Sequence, residues 1–135
     1  MKALTVRQPH AGRIANGVKP IETRDFSISY RGRLLICAGQ ELDLQVARRT
    51  SAAEGISPAE FMEKYPTGVA VAMVTLWDCV RFRPDQAAAA CTPWRDKAWA
   101  WLLKDVVKFA RPFAARGMPG LFDLAVTDDQ LQGVR

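Results

Sequence analysis

The strongest constraint on the fold is an apolar segment at residues 68–79, GVAVAMVTLWDC, whose composition predicts a buried β-strand. A second apolar run at residues 33–38, RLLICA, has the near-continuous hydrophobicity of a strand that is covered on both faces. No apolar run approaches the roughly 18 to 20 residues that a membrane-spanning helix needs. The chain is therefore predicted to fold around a sheet in water and not in a bilayer.

Weaker signals place the remaining elements around these two strands. Further strands are predicted at residues 3–6, 18–24, 98–103 and 121–126, and helices at residues 9–16, 41–54 and 57–65. The helices fall early in the chain and do not alternate regularly with the strands. This pattern predicts the α+β class, with a small β-barrel of five to six strands and flanking helices.

Tryptophan positions and the chain end give two further expectations. The alternation of large and small residues at 98–103 places Trp99 and Trp101 on one face of a strand. These two residues and Trp77 are predicted to fill the core, because strand tryptophans are usually well buried. The polar tail from Asp128 onward is predicted to fray.

Cysteine and histidine usage limits the chemistry. The chain has three cysteines, far apart and without a C-x-x-C pair, and one histidine, His10. This pattern argues against a disulfide framework or a zinc site, and it leaves no histidine cluster for a catalytic metal. The first residues also lack the apolar stretch of a secretory leader. We therefore expect a cytoplasmic protein with reduced thiols, no metal and no cofactor.

Positive charge is concentrated near the beginning of the chain. The sequence carries 19 basic and 14 acidic residues, a net charge of +5. Residues 1–40 hold seven lysines and arginines against two acidic residues, which is already a balance of +5. Such a concentration attracts polyanions, of which nucleic acid is the usual one. The alternative is an ordinary solvated basic surface, and charge alone does not separate the two.

Three ordered motifs in residues 4–38 are similar to those of a known family. They are RQPHA, GVKPIETR and YRGRLLICA, which begin at Arg7, Gly17 and Tyr30. In this order and spacing they resemble the ASCH family, named for activating signal cointegrator homology. The apolar segment at 68–79 and the later segments AWAWLLKD and RGMPGLFDL resemble the remaining strands of that family.

The resemblance implies a single ASCH domain over residues 1–135, with a PUA-like fold and variable insertions near residues 41–65 and 83–97. It also implies a cleft that binds RNA or another nucleic acid. Some relatives are hydrolases, either ribonucleases or enzymes that deacetylate a modified cytidine. The deacetylases combine a lysine with a threonine three residues later. Lys19 matches that lysine, but Glu22 stands at the threonine position.

Lys19, Glu22 and Arg24 are also candidates for a binding site when the family resemblance is set aside. In an extended segment Glu22 and Arg24 lie on one face, and Lys19, just before Pro20, can turn to the same side. A carboxylate between two cations would orient both as donors to a phosphate or to the edge of a base. The alternative from spacing alone is a surface salt-bridge group, which contributes about 0–1 kcal/mol.

Further candidates precede and follow this cluster in the sequence. Gln8 and His10 lie on either side of Pro9, at the start of a predicted helix whose free N–H groups favour anions. Arg7 and Arg31 are candidates for the entrance of the cleft. The predicted nucleic-acid-binding residues are therefore Arg7, Gln8, His10, Lys19, Glu22, Arg24 and Arg31.

Three functions are compatible with these observations. The first is a module that binds RNA through a basic cleft. The second is a small hydrolase acting on RNA or a modified nucleoside, with Lys19 as base or charge stabiliser and Glu22 as the proton-transfer group. A lysine base needs a lowered pKa, whereas an adjacent Glu22 favours a raised one, so binding ranks first. The third is a protein-interaction adaptor on the same barrel.

Overall fold

The computed structural model describes residues 1–132. Its strands are β1 (Lys2–Gln8), β2 (Ile21–Arg24), β3 (Gly32–Leu42), β4 (Val69–Arg81), β5 (Trp99–Ala114) and β6 (Leu121–Asp123). Its helices are α1 (His10–Ala15), α2 (Leu44–Glu54), α3 (Pro58–Lys64), α4 (Ala87–Ala90) and α5 (Asp128–Gln132), with a 3-10 turn at Pro84–Gln86. None of these helices is long and apolar enough to cross a membrane.

The six strands form one sheet in the order β2-β5-β4-β3-β1-β6. β1 and β3 pair in parallel, and all other neighbours pair antiparallel. Parallel neighbours need a crossover connection, and the segment that contains α1 and β2 provides it here. The predicted α+β class and barrel-like sheet are confirmed, although β2 and β6 are edge strands and the barrel is not strictly closed.

The central strands are covered on both faces. Leu34 and Leu35 of β3 are both fully buried and belong to opposite hydrophobic clusters. The first cluster includes Trp101 and the apolar side of α1, and the second includes Phe109. This arrangement confirms the prediction that residues 33–38 form a doubly covered strand, because successive side chains of a strand point to opposite faces.

Trp77 departs from the predicted core. Trp101 is fully buried and Trp99 is half-buried against the core, but Trp77 is 48% exposed. The pairing of β4 with β5 shifts register between Leu76 and Asp78, so Trp77 lies at an irregularity of the ladder. A β-bulge changes the direction of the side chain at that position. The prediction of a core role for Trp77 is therefore wrong.

The end of the described chain also differs from the sequence prediction. β6 ends at Asp123, and Leu124 and Val126 pack against the second cluster as irregular chain and not as a longer strand. The helix α5 occupies part of the predicted frayed tail, because Thr127 and Gln130 cap its first turn with reciprocal hydrogen bonds of 2.8 and 3.1 Å. Residues 133–135 of that tail lie outside the described residues.

The position of the candidate site follows from the curvature of the sheet. The edge strand β2 returns towards β1, and the Arg24 guanidinium donates from Nη2 to the Thr5 carbonyl oxygen at 2.6 Å. One arginine therefore links two strands that are four places apart in the sheet. The space beside this contact is the cleft described next.

Candidate functional site

A cleft of about 1190 Å³ opens where β1 and β2 approach each other. Its walls come from these two strands, from the end of β3 and from the turn at residues 116–120. The two segments that the resemblance marks as variable also contribute lining residues, namely Glu41, Asp43, Thr92 and Arg95. The cleft therefore combines segments that are far apart in the sequence.

Lys19, Glu22 and Arg24 form a buried charged cluster in the wall of this cleft. Lys19 Nζ lies 3.5 Å from Glu22 Oε1, and Arg24 Nη2 lies 3.2 Å from Glu22 Oε2. Lys19 also donates to the carbonyl oxygen of Ala90, at the end of α4. Lys19 and Glu22 are only 2% and 7% exposed. The predicted grouping of the three side chains is correct, and the alternative of a surface salt-bridge group is wrong.

Burial dominates the protonation of Lys19. Removal from water lowers the pKa of Lys19 below its ordinary value of 10.5, even though the neighbouring Glu22 carboxylate favours the charged form. From the sequence, Glu22 is expected to oppose the lowered pKa that a lysine base needs. In the structure, burial outweighs this influence of Glu22. Groups with shifted pKa values cluster at functional sites, so Lys19 is a candidate functional residue.

Arg24 leaves one donor without a partner. Its Nη2 atom contacts both Thr5 O and Glu22 Oε2, but its Nε atom is buried and has no hydrogen-bond partner within residues 1–132. A buried donor without an acceptor costs about 1–3 kcal/mol. This atom therefore identifies a place where a ligand acceptor would be stabilising.

His10, another residue of the cleft lining, shows the same feature. Its Nε2 atom lies 3.0 Å from Asp43 Oδ2, and its Nδ1 atom is buried without a partner in the described chain. Burial favours a raised pKa for Asp43, but hydrogen bonds from His10 and from the Val46 N–H outweigh it and lower the pKa overall. If Nε2 donates to Asp43, a neutral imidazole presents Nδ1 as an acceptor.

Gln8 and Arg31 lie away from the cleft. Gln8 is fully buried. Its side-chain amide donates to Pro66 O at 2.8 Å and accepts from the Gly12 N–H of α1 at 2.8 Å, so its role is to stabilise this short helix. Arg31 pairs with Asp78 at 3.3 Å on the exposed surface. Of the predicted residues, the structure brings together Arg7, His10, Lys19, Glu22 and Arg24, and it does not bring Gln8 and Arg31 into this group.

The cleft is less basic than the sequence suggests. Its lining contains five cationic side chains and four carboxylates, and most of them are paired. Arg7 contacts Glu41 at 3.3 Å, and Arg95 contacts Asp25 at 2.6 Å. Arg116 is the cation of the lining that has no ion-pair partner in residues 1–132, so it is the one most available to an anion.

Sequence reasoning missed two lining residues with functional potential. Phe26 is 43% exposed, and its ring packs edge-on against Trp101 with a centroid distance of 5.5 Å. Arg116 begins a glycine-proline turn that Thr5 holds against β1, because the Thr5 hydroxyl contacts both the N–H and the carbonyl of Met118 at 3.2 Å. The turn signal was present in the sequence, but its position over the cleft was not.

Comparisons with known proteins agree with this fold. The profile of the ASCH domain matches residues 4–113. The chain belongs to the ASCH domain family. It is 28% identical over 134 residues to activating signal cointegrator 1 of Homo sapiens and 27% identical over 129 residues to that of Mus musculus. In both cases the alignment covers 90% of this chain but 22% of the relative, so the chain spans about a fifth of their length.

Solved structures show the fold of this ASCH domain independently. A crystal structure of ASCH from Zymomonas mobilis superposes with a TM-score of 0.62 over 98% of this chain and 91% of that chain. A second crystal structure, of a point mutant of that Zymomonas mobilis protein, gives a TM-score of 0.59 over 97% and 93% of the two chains. The sequence identity is 14% in both cases, so these matches establish the fold alone.

Proposed function

We propose that this ASCH domain binds RNA and holds one unpaired nucleotide in its cleft. The observation that carries the proposal is the location of the unsatisfied polar atoms. Within residues 1–132, the two buried side-chain atoms without a hydrogen-bond partner are Arg24 Nε and His10 Nδ1, and both side chains line the cleft. Buried polar groups in proteins are nearly always paired, and the polar edges of a nucleotide would supply the missing partners.

The remaining lining matches the other parts of a nucleotide. Phe26 offers an exposed ring, and sequence-tolerant RNA binding commonly uses aromatic rings on which bases stack. Arg116, without an ion-pair partner in the described residues, offers its guanidinium to a phosphate. The volume of about 1190 Å³ exceeds the roughly 300–1,000 Å³ of typical small-molecule pockets, which leaves room for adjoining nucleotides.

The buried cluster is assigned to recognition of the base. Glu22 and Arg24 present an acceptor and a donor that are fixed by their mutual contact at 3.2 Å. Lys19 lies behind Glu22 and positions its carboxylate. Arg7 lines the cleft and Arg31 lies outside it, and the proposed role of both side chains is contact with phosphates of adjoining nucleotides. Gln8 supports α1 and would act only indirectly. We place this function in the cytoplasm, where the three free cysteines stay reduced.

Substitution of Arg116 by glutamine tests this proposal. The loss of one phosphate contact should weaken binding of a fluorescently labelled single-stranded RNA and reduce the slope of log K against log salt by about 0.7. Fluorescence anisotropy at several salt concentrations measures both quantities. Arg48→Gln is the matched control, because Arg48 is an exposed arginine of α2 that is not part of the cleft lining. Equal effects of the two variants, or no RNA binding by the parent protein, would contradict the proposal.

A hydrolase is the second candidate, and the state of Lys19 favours it. Burial lowers the pKa of Lys19, which increases the neutral, basic fraction of its amine at a given pH. Glu22, 3.5 Å away, is near enough to exchange a proton with it. This candidate retains the roles that the sequence analysis gave to both residues.

The Lys19→Met variant distinguishes binding from catalysis. If the domain is a hydrolase, the parent protein turns over RNA or a modified nucleoside, and the variant should lose turnover by roughly 10²–10⁴-fold while it still binds the substrate. Product formation followed by liquid chromatography, with binding measured in parallel, gives both values. Absence of turnover in the parent protein would eliminate this candidate and leave RNA binding unaffected.

A further inference from the structure

A row of three side chains crosses the sheet beside the cleft. In the pairing of β2 with β5, Arg24 is opposite Trp99, and in the pairing of β4 with β5, Arg81 is opposite the same Trp99. Directly opposite residues of antiparallel strands point to the same face. The row therefore places an indole between two arginines, and its ends are two strand spacings apart, about 10 Å.

Arg81, at the outer end of this row, is held in place by its contact with Trp99. The guanidinium carbon of Arg81 lies 4.9 Å from the centroid of the Trp99 ring, which is within the range of a cation–π contact. Trp99 is half-buried and packs against the core, so the surface under the guanidinium is fixed. Arg81 itself is exposed and has no ion-pair partner in the described part of the chain. Its hydrogen-bond donors are therefore free for an anion.

Nearby carboxylates do not cancel this positive charge. Glu22 is already paired with Lys19 and Arg24, and Asp25 is paired with Arg95. The inner end of the row, Arg24, lines the cleft, whereas Arg81 and Trp99 lie beyond its lining. A polyanion that enters the cleft at Arg24 would thus meet the guanidinium of Arg81 along the same row.

We propose that Arg81, in cation–π contact with Trp99, is a second subsite that binds the phosphate of the nucleotide next to the one in the cleft. This inference rests on the proposed function and adds the class of ligand: an oligonucleotide strand and not a free nucleotide. A planar guanidinium suits this role because its fork of donors matches the oxygens of a phosphate. The mononucleotide occupies the cleft alone, and each longer strand extends along the row.

The experiment compares two ligands of different length on the same protein. Adenosine 5′-monophosphate and tetra-adenylate are titrated into the parent protein and into Arg81→Gln, with calorimetry as the readout. The parent protein should bind the tetranucleotide more tightly than the mononucleotide. Arg81→Gln should weaken tetranucleotide binding about tenfold, the scale of one hydrogen bond to a charged group, and leave mononucleotide binding unchanged.

Lys104→Gln is the matched control for Arg81→Gln. Lys104 also places a cation over a tryptophan, with its Nζ 5.9 Å from the Trp77 ring centroid, but neither residue lines the cleft or belongs to the row. The affinities of Lys104→Gln for the mononucleotide and the tetranucleotide should equal those of the parent protein. Unchanged tetranucleotide binding in Arg81→Gln, or an equal loss in Lys104→Gln, overturns the subsite.

Failure of the subsite is separable from failure of the proposed function. A parent protein that binds the mononucleotide but gains nothing from the longer strand refutes the subsite and keeps nucleotide binding in the cleft. A parent protein that binds neither ligand refutes both.

Discussion

Two lysine–glutamate pairs of this ASCH domain contain the same groups, but the pKa of the lysine shifts in opposite directions in the two pairs. On the surface, Lys64 Nζ lies 2.8 Å from Glu54 Oε1, and the lysine side chain is 49% exposed. In the cleft, Lys19 Nζ lies 3.5 Å from Glu22 Oε1, and the lysine side chain is 1% exposed. The hydrogen bond to Glu54 raises the pKa of Lys64, whereas burial lowers the pKa of Lys19. A glutamate partner therefore raises the pKa of an exposed lysine, but burial can outweigh the same kind of partner and lower it.

A buried pair of this kind is weak evidence for stability. Taking both charges out of water costs several kcal/mol per ion, and well-packed apolar residues would often serve the fold as well. The position of Lys19, Glu22 and Arg24 inside a wall of the cleft is therefore consistent with the proposed binding role. The surface pair of Lys64 and Glu54 has no such implication, because exposed pairs form at little cost.

Of the substitutions that test this comparison, Glu22→Gln should cause the largest loss in the free energy of unfolding. The substitution removes the carboxylate that compensates both Lys19 and Arg24, and breaking a buried ion pair from one side costs about 3–5 kcal/mol. We expect that loss in the free energy of unfolding, measured by urea denaturation at neutral pH.

Glu54→Gln provides the surface control for this measurement. Glu54 accepts hydrogen bonds from Lys64 and from the Tyr65 hydroxyl. Water replaces the contact with Lys64 easily, because that contact is exposed. The loss of unfolding free energy in Glu54→Gln should be much smaller than in Glu22→Gln, because the Lys64 contact is exposed and the Tyr65 contact is only partly buried. Equal losses in the two variants would show that burial does not distinguish the pairs.

A smaller effect is expected in the pH dependence of stability. Since the folded pKa of Lys19 is below its ordinary value of 10.5, the unfolded chain binds more protons than the folded chain as the pH approaches 10.5 from below. The stability of the parent protein relative to Lys19→Met should therefore rise with pH in that range. Urea denaturation of both proteins at several pH values below 10.5 measures the difference.

Lys64→Met should behave in the opposite way. The folded pKa of Lys64 is raised, so its contribution is complete below 10.5 and is lost only as the pH rises above that value. The stability of the parent protein relative to Lys64→Met should therefore stay constant over the range in which the Lys19 difference grows. Parallel curves for the two variants would refute the contrast between buried and exposed lysine.

Local patterns in the sequence determined much of the fold. The apolar runs at residues 33–38 and 68–79 lie in β3 and β4, as predicted, because a doubly covered strand has no polar face. The alternation of an extended segment also placed Glu22 and Arg24 on one face of β2. The family motifs come from the same residues and are confirmed by the ASCH match over residues 4–113.

Tertiary structure decided which of these residues form the site and how they behave. Trp77 is exposed because the pairing of β4 with β5 shifts register at this position. The alternation of residues along β4 alone does not predict such a shift. The contacts of Lys19 with Ala90 and of Arg24 with Thr5 join segments that the sequence keeps far apart. The sequence by itself determined the two central strands and the charges of the cluster. The packing of distant segments decided their desolvation, because the cost of a charge depends on everything that excludes water around it.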